Sequence, residues 1–249
     1  MRLARQAWLL THSELRQELR DRELLLTSGF FSLLMLAMFA LSFSAIPRGD
    51  ALRAAIPGML WLSVAFVGSL TLTRIFDRER EADTLRALLA APVERLAIYF
   101  AKAAITLMVL LVCCALLLPG LMLIFEPARV MAEAPLQTLG IVVFGSLGFV
   151  AVGALFSAGL AAGSGKNVLV SVILYPLTTP VLMIDMVATR ALLERNEDVG
   201  AYIGQLIGLD IILLTVGALL FESVVVGAGR RASARGSGRG ARARAQVER

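Results

Sequence analysis

Six long apolar runs alternate with polar stretches along the chain, over residues 24–46, 54–76, 103–125, 136–162, 168–188 and 201–227. Each reaches the roughly 20 residues that an α-helix needs to cross about 30 Å of hydrocarbon. Inside lipid an open chain satisfies its backbone hydrogen bonds only as a helix. The pattern therefore predicts an all-α integral membrane protein with six transmembrane helices. The fourth run exceeds a crossing and is expected to tilt. Ahead of the first run, residues 2–23 mix charged and apolar positions. Ala4, Trp8, Thr11, Leu15 and Leu19 recur there at helical spacing, with Arg5, Arg16, Arg20 and Arg22 largely off that stripe. This predicts an amphipathic amino-terminal helix lying in the membrane interface, with Trp8 at headgroup depth. The first apolar run starts too late and is too long for a secretory signal. The expected division is an interfacial helix over 1–23, a six-span domain over 24–227 and a basic, disordered tail over 228–249.

Composition agrees with that pattern. Of 249 residues, 58% are hydrophobic and 17% charged, against about 45–50% and about 25% in soluble domains. A soluble globule, a disordered chain, collagen and a disulfide-stapled scaffold are excluded. Charge then orients the spans. With the amino terminus inside, 19 of the 24 Lys and Arg fall on the cytoplasmic side. Only Arg48, Arg53, Arg129, Arg190 and Arg195 fall outside. Positive residues gather on the cytoplasmic side of bacterial inner-membrane proteins, so both termini are expected there. The seven-arginine tail suits anionic inner-leaflet lipid, with no nucleic acid required.

The longest polar break between runs, 77–102, carries the most character. Asp77, Glu79, Glu81 and Asp83 open it, where carboxylates complement the positive end of a helix dipole. Ala82, Leu85, Leu88 and Leu89 then form an apolar stripe, and Pro92 breaks the pattern. A short amphipathic helix over about 77–91, parallel to the membrane, is expected. Two explanations fit it: a connector resting its apolar side on lipid, or a docking helix for a cytoplasmic partner.

Few residues invite chemistry. Gly163-Ser164-Gly165-Lys166 lacks the first glycine and the Ser/Thr of a phosphate loop and sits between apolar runs, so it reads as a tight turn. No ATP hydrolysis by this chain is expected. The sole histidine, His12, precedes the first span, and no haem-attachment motif is present. Cys113 and Cys114 read as small packing residues. Met183 and Met186 carry thioethers of the kind that ligate iron, although Met in a span ordinarily only packs. No metal site and no cofactor held by this chain alone are expected. Pro119-Gly120, Pro176 and Pro180 should bend their helices, and Gly159 and Gly163 allow close helix approach in a dimerising or hetero-oligomeric bundle. Three carboxylates fall within runs. Asp185 and Glu222 lie near run ends, where they can reach water. Asp210, about nine residues into the last run, is the stronger candidate for a polar path or an intersubunit hydrogen bond.

Residues 56–103, IPGMLWLSVAFVGSLTLTRIFDREREADTLRALLAAPVERLAIYFAKA, resemble the haem exporter protein B family, CcmB. Pro57, Leu60 and Trp61 match the start of its second span. Arg74, Phe76, Asp77, Glu81, Leu85, Leu88, Leu89 and Pro92 match its exit and the Leu-rich turn that follows. LYPLTTPVLMI, residues 174–184, resembles its fifth span. The likeness covers about residues 1–227. The Arg-rich tail and the acidic DREREAD stretch depart from the pattern.

The resemblance implies an ABC exporter-type permease with haem as candidate substrate, acting in c-type cytochrome maturation. It implies a CcmA-like ATPase that binds the nucleotide, CcmC-like and CcmD-like membrane subunits, and a CcmE-like haem chaperone. It also implies that Asp77, Glu79, Glu81, Leu85, Leu88, Leu89 and Pro92 act as a coupling helix toward the ATPase. Two other readings remain open: an ABC permease for a drug, lipid or polysaccharide, and a non-transporting scaffold.

Overall fold

A computed structural model describes residues 2–43, 49–81, 94–162, 168–196 and 198–221. No strand occurs among the described residues. The long helices are α1 (Arg2–Asp21), α2 (Glu23–Phe43), α3 (Asp50–Glu81), α4 (Arg95–Ile124), α5 (Pro135–Ala162), α6 (Val168–Leu193) and α7 (Val199–Phe221). A 3-10 turn (Glu126–Arg129) and a one-turn helix (Val130–Glu133) join α4 to α5. Five helices are long and apolar enough to cross a membrane: α2, α3, α4, α5 and α7. The expected run 168–188 falls within α6.

Hydrophobicity varies little between the faces of α2 to α5, so burial sorts the spans instead. The apolar windows of α3 and α5 are 72% buried, against 28% for α2, 33% for α4 and 17% for α7. Thus α3 and α5 form the centre and the other three line the outside. Leu33, Leu62, Leu116, Ile212 and Leu219 are exposed along the bundle, as suits side chains facing lipid tails.

Neighbouring contacts give the helix directions. Gly68 of α3 faces Phe149 of α5, and Trp61 approaches Gly145, so α3 and α5 run the same way. Gly140 faces Ile203 and Gly148 faces Asp210, which sets α7 parallel to α5. Gly145 meets Asp185 and Gly148 meets Val181, so α6 runs opposite to them. This alternation is what successive crossings require.

One end of the bundle is closed by α1, which packs across the start of α4. Its buried face is set by polar partners rather than by the apolar stripe alone. The Lys102 ammonium pairs with Glu14, and the Glu94 N–H donates to Gln6 Oε1 at 3.0 Å. Leu10 and Leu15 pack on the core, while Trp8, stacked on His12, is 69% exposed. Between α1 and α2 the chain turns at Arg22, in the left-handed region at φ 53°. Glu18 Oε1 there accepts the Leu24 and Leu25 N–H groups at 2.9 and 3.1 Å. Those donors have no partner within their own helix, so the carboxylate caps α2.

At the opposite end α6 finishes in a Schellman turn. The Asn196 N–H donates to Ala191 O at 2.9 Å, and the Arg195 N–H to Leu192 O at 3.1 Å, with Arg195 left-handed at φ 57°. Arg195 also pairs with Glu133. These two residues and Gln137 border a cavity of about 350 Å³ at that end.

Candidate functional site

Charge in hydrocarbon is costly, so a carboxylate inside a span usually faces a cavity or a partner. Two such groups meet in the bundle. Asp210 lies on α7, 11 residues beyond Val199, about 16 Å along the axis. Asp185 lies on α6, eight residues before Leu193, about 12 Å from that end. Asp185 is 0% and Asp210 2% exposed. The expectation that Asp185 reaches water is overturned, because α6 continues past the apolar run to Leu193 and carries it inward.

The two acids converge on one face of α5. A Cβ at Gly145 would strike Asp185 Oδ1 and lie 2.7 Å from its Cγ. One at Gly148 would lie 2.6 Å from Asp210 Oδ1. Positions i and i+3 on a helix sit about 5–6 Å apart, which places the carboxyl groups within about 11 Å of each other. Glycine is required at both positions, since any side chain would occupy the space that the acids fill. All four carboxylate oxygens are buried without a hydrogen-bond partner.

Trp61 and Thr189 beside the acids are already engaged, whereas the Ser146 hydroxyl of α5 is buried without a partner. Trp61 Nε1 donates to Thr189 Oγ1 at 2.8 Å, and the Thr189 hydroxyl donates to the backbone oxygen of Asp185 at 2.7 Å. Trp61, one of the residues of the second-span motif, therefore packs beside the acid pair. Pro57 and Leu60 of the same motif are buried within α3. Toward the α1 end, the Tyr99 hydroxyl donates to Ala151 O at 2.9 Å and fills the space beside Gly217.

The remaining candidates are placed as follows. Asp77, Glu79 and Glu81 lie on the last turns of α3 rather than on a separate helix. Leu85, Leu88, Leu89 and Pro92 lie outside the described residues, as do Glu222, residues 163–167 and the tail. Cys113 and Cys114 are free and buried in α4. Met183 is 60% and Met186 37% exposed, so neither belongs to the core. No group of three or more metal-ligating side chains occurs among the described residues.

Asp185, Thr189, Gly145 and Gly148 were missed as a unit. Asp185 and Thr189 are four apart on one helix face, and Gly145 and Gly148 are three apart on another, but only packing brings the two pairs together.

A family model described as CcmB protein matches residues 5–226. The chain belongs to the CcmB family. The match runs from α1 through α7, so it takes in the amino-terminal helix and leaves the tail, 228–249, outside. As a CcmB protein the chain is a haem-exporter ABC permease component, a multi-pass membrane subunit of c-type cytochrome biogenesis. No curated protein matches it.

Proposed function

We propose that this CcmB chain is the permease subunit through which a CcmA-like ATPase acts on the membrane helices during haem delivery for c-type cytochrome maturation. The ATPase docks on the segment from Asp77 to Pro92. CcmC-like and CcmD-like subunits share the membrane, a CcmE-like chaperone receives the haem, and the complex sits in the bacterial inner membrane with both termini cytoplasmic.

The observation that carries this reading is the way α3 ends. The helix continues without a break from its apolar stretch through Asp77 and Glu79 to Glu81. A push on that polar extension is thus delivered directly to a central helix of the bundle. Its neighbour at that end is α2, and α1 packs beside it on α4. Arg74 of α3 lies 3.7 Å from Glu23, and Lys102 of α4 pairs with Glu14. Basic residues at that end include Arg5, Arg16, Arg20, Arg22, Arg74 and Lys102. The positive-inside bias supports placing this end in the cytoplasm, where nucleotide is available. Rigid-body movement transmitted through packed helices is a recurrent form of such coupling.

The test replaces Leu85, Leu88 and Leu89 together by Ala in the full complex. Co-purified ATPase should fall at least about tenfold, equivalent to about 1.4 kcal/mol of binding, with membrane insertion unchanged. Unchanged co-purification would eliminate docking through this segment.

A further inference from the structure

We propose that Asp185 and Asp210 together form a binding site for one monovalent cation, a proton or an alkali-metal ion, in the interior of the helix bundle. Two buried carboxyl groups press on the Gly145–Gly148 face of α5, and none of their four oxygens has a hydrogen-bond partner. Buried polar groups are ordinarily satisfied, and an orphaned one calls for a specific reason. The groups packed against the pair cannot supply it. From α3 comes Trp61, whose N–H is given to Thr189. From α5 come two glycines and Ser146, whose buried hydroxyl bonds to neither acid, and from α6 come the apolar Val181 and the engaged Thr189. Every described basic side chain is exposed except Lys102, which pairs with Glu14 at the α1 end. Among the described residues, the other buried titratable groups of the spans are Tyr99, bonded to Ala151 O, and the free thiols Cys113 and Cys114 on α4. Among the described residues none supplies a charge to the pair, and a positive charge from elsewhere satisfies two buried carboxyl groups most directly. A single small cation suits the site, because the glycines leave room for the carboxyl groups and for no side chain.

The site also spans a structural joint. Asp185 stands on α6 and Asp210 on α7, and both press on α5. An occupant drawn to both acids holds α6 and α7 against α5, and its departure weakens that hold. Cation occupancy is thereby linked to the packing of three spans, independently of where the ATPase docks.

The experiment uses the full chain in lipid nanodiscs and two readouts on wild type, Asp185→Asn and Asp210→Asn. Infrared difference spectra across pH, in ordinary and heavy water, report a carboxyl that binds a proton. Thermal unfolding in sodium or potassium chloride, against choline chloride at equal ionic strength, reports an alkali ion. An isotope-shifted carboxyl band, or a rise of several degrees with sodium or potassium, is expected in wild type and lost in both variants. The readout that responds identifies the occupant. Absence of both responses in wild type overturns the proposal, as does their survival in both variants. If an Asn variant fails to fold, Asp210→Glu replaces it. That substitution keeps the carboxyl and should alter the band or the cation dependence, whereas an unaltered response overturns the assignment.

Discussion

Trp61 and Thr189 are bonded across the bundle, the indole Nε1 donating to the threonine hydroxyl at 2.8 Å. Both are buried, and the bond joins α3 to α6 beside the acid pair. Thr189→Val keeps the shape and strands the indole N–H. An unsatisfied buried donor costs about 1–3 kcal/mol, so the variant should unfold earlier in a detergent denaturation series. Thr215 is the control. Its hydroxyl is exposed and bonds only within its own helix, to Ile211 O at 2.7 Å, so Thr215→Val should leave stability within about 0.5 kcal/mol.

Two glycines of α5 should tolerate nothing larger. Gly145→Ala pushes into Asp185 and Trp61, and Gly148→Ala into Asp210 and Val181. Overpacking of this kind costs about 1–3 kcal/mol. Gly204 on α7 has nothing within 4 Å of an added Cβ, and Gly204→Ala should be neutral or slightly stabilising. Thermal unfolding of the three variants side by side checks the contrast, and an equal loss at all three would contradict the close approach.

The run lengths made the helices legible because a span in lipid has little freedom beyond its length. What lay outside the apolar runs was harder to read. The polar end of α3 was expected to start a new helix at 77, yet the backbone continues to Glu81, since charged residues there keep helical spacing after the hydrophobicity stops. The far end of α6 was hidden for another reason. Its Schellman turn uses Arg195 where glycine is the usual stop signal, so the helix was cut short at 188 and Asp185 was placed near water. The amino-terminal helix was legible as a helix, but the face it buries was not. That face is chosen by Lys102 and Glu94, some 88 residues away in sequence. The acid pair depends on interhelical packing of α5, α6 and α7, which no local pattern encodes.

Glu18 should matter more than its place on a polar helix suggests. Its carboxylate accepts the Leu24 and Leu25 N–H groups at the start of α2. Loss of a capping side chain costs about 0.5–2 kcal/mol. Glu18→Ala should therefore speed amide hydrogen exchange at Leu24 and Leu25 while leaving the centre of α2 protected. Equal exchange in wild type and variant would remove the cap from the account.

The orientation of the α3–α4 connection bears most directly on the proposed ATPase coupling. Single cysteines are placed at Leu88 and at Glu133 in a chain whose own Cys113 and Cys114 are replaced by Ala. Each is then tested with a membrane-impermeant thiol reagent in intact cells and in inverted vesicles. Leu88→Cys should be modified only in inverted vesicles, and Glu133→Cys only from outside intact cells. Labelling of Leu88→Cys from outside would place the segment away from nucleotide and contradict its role in coupling.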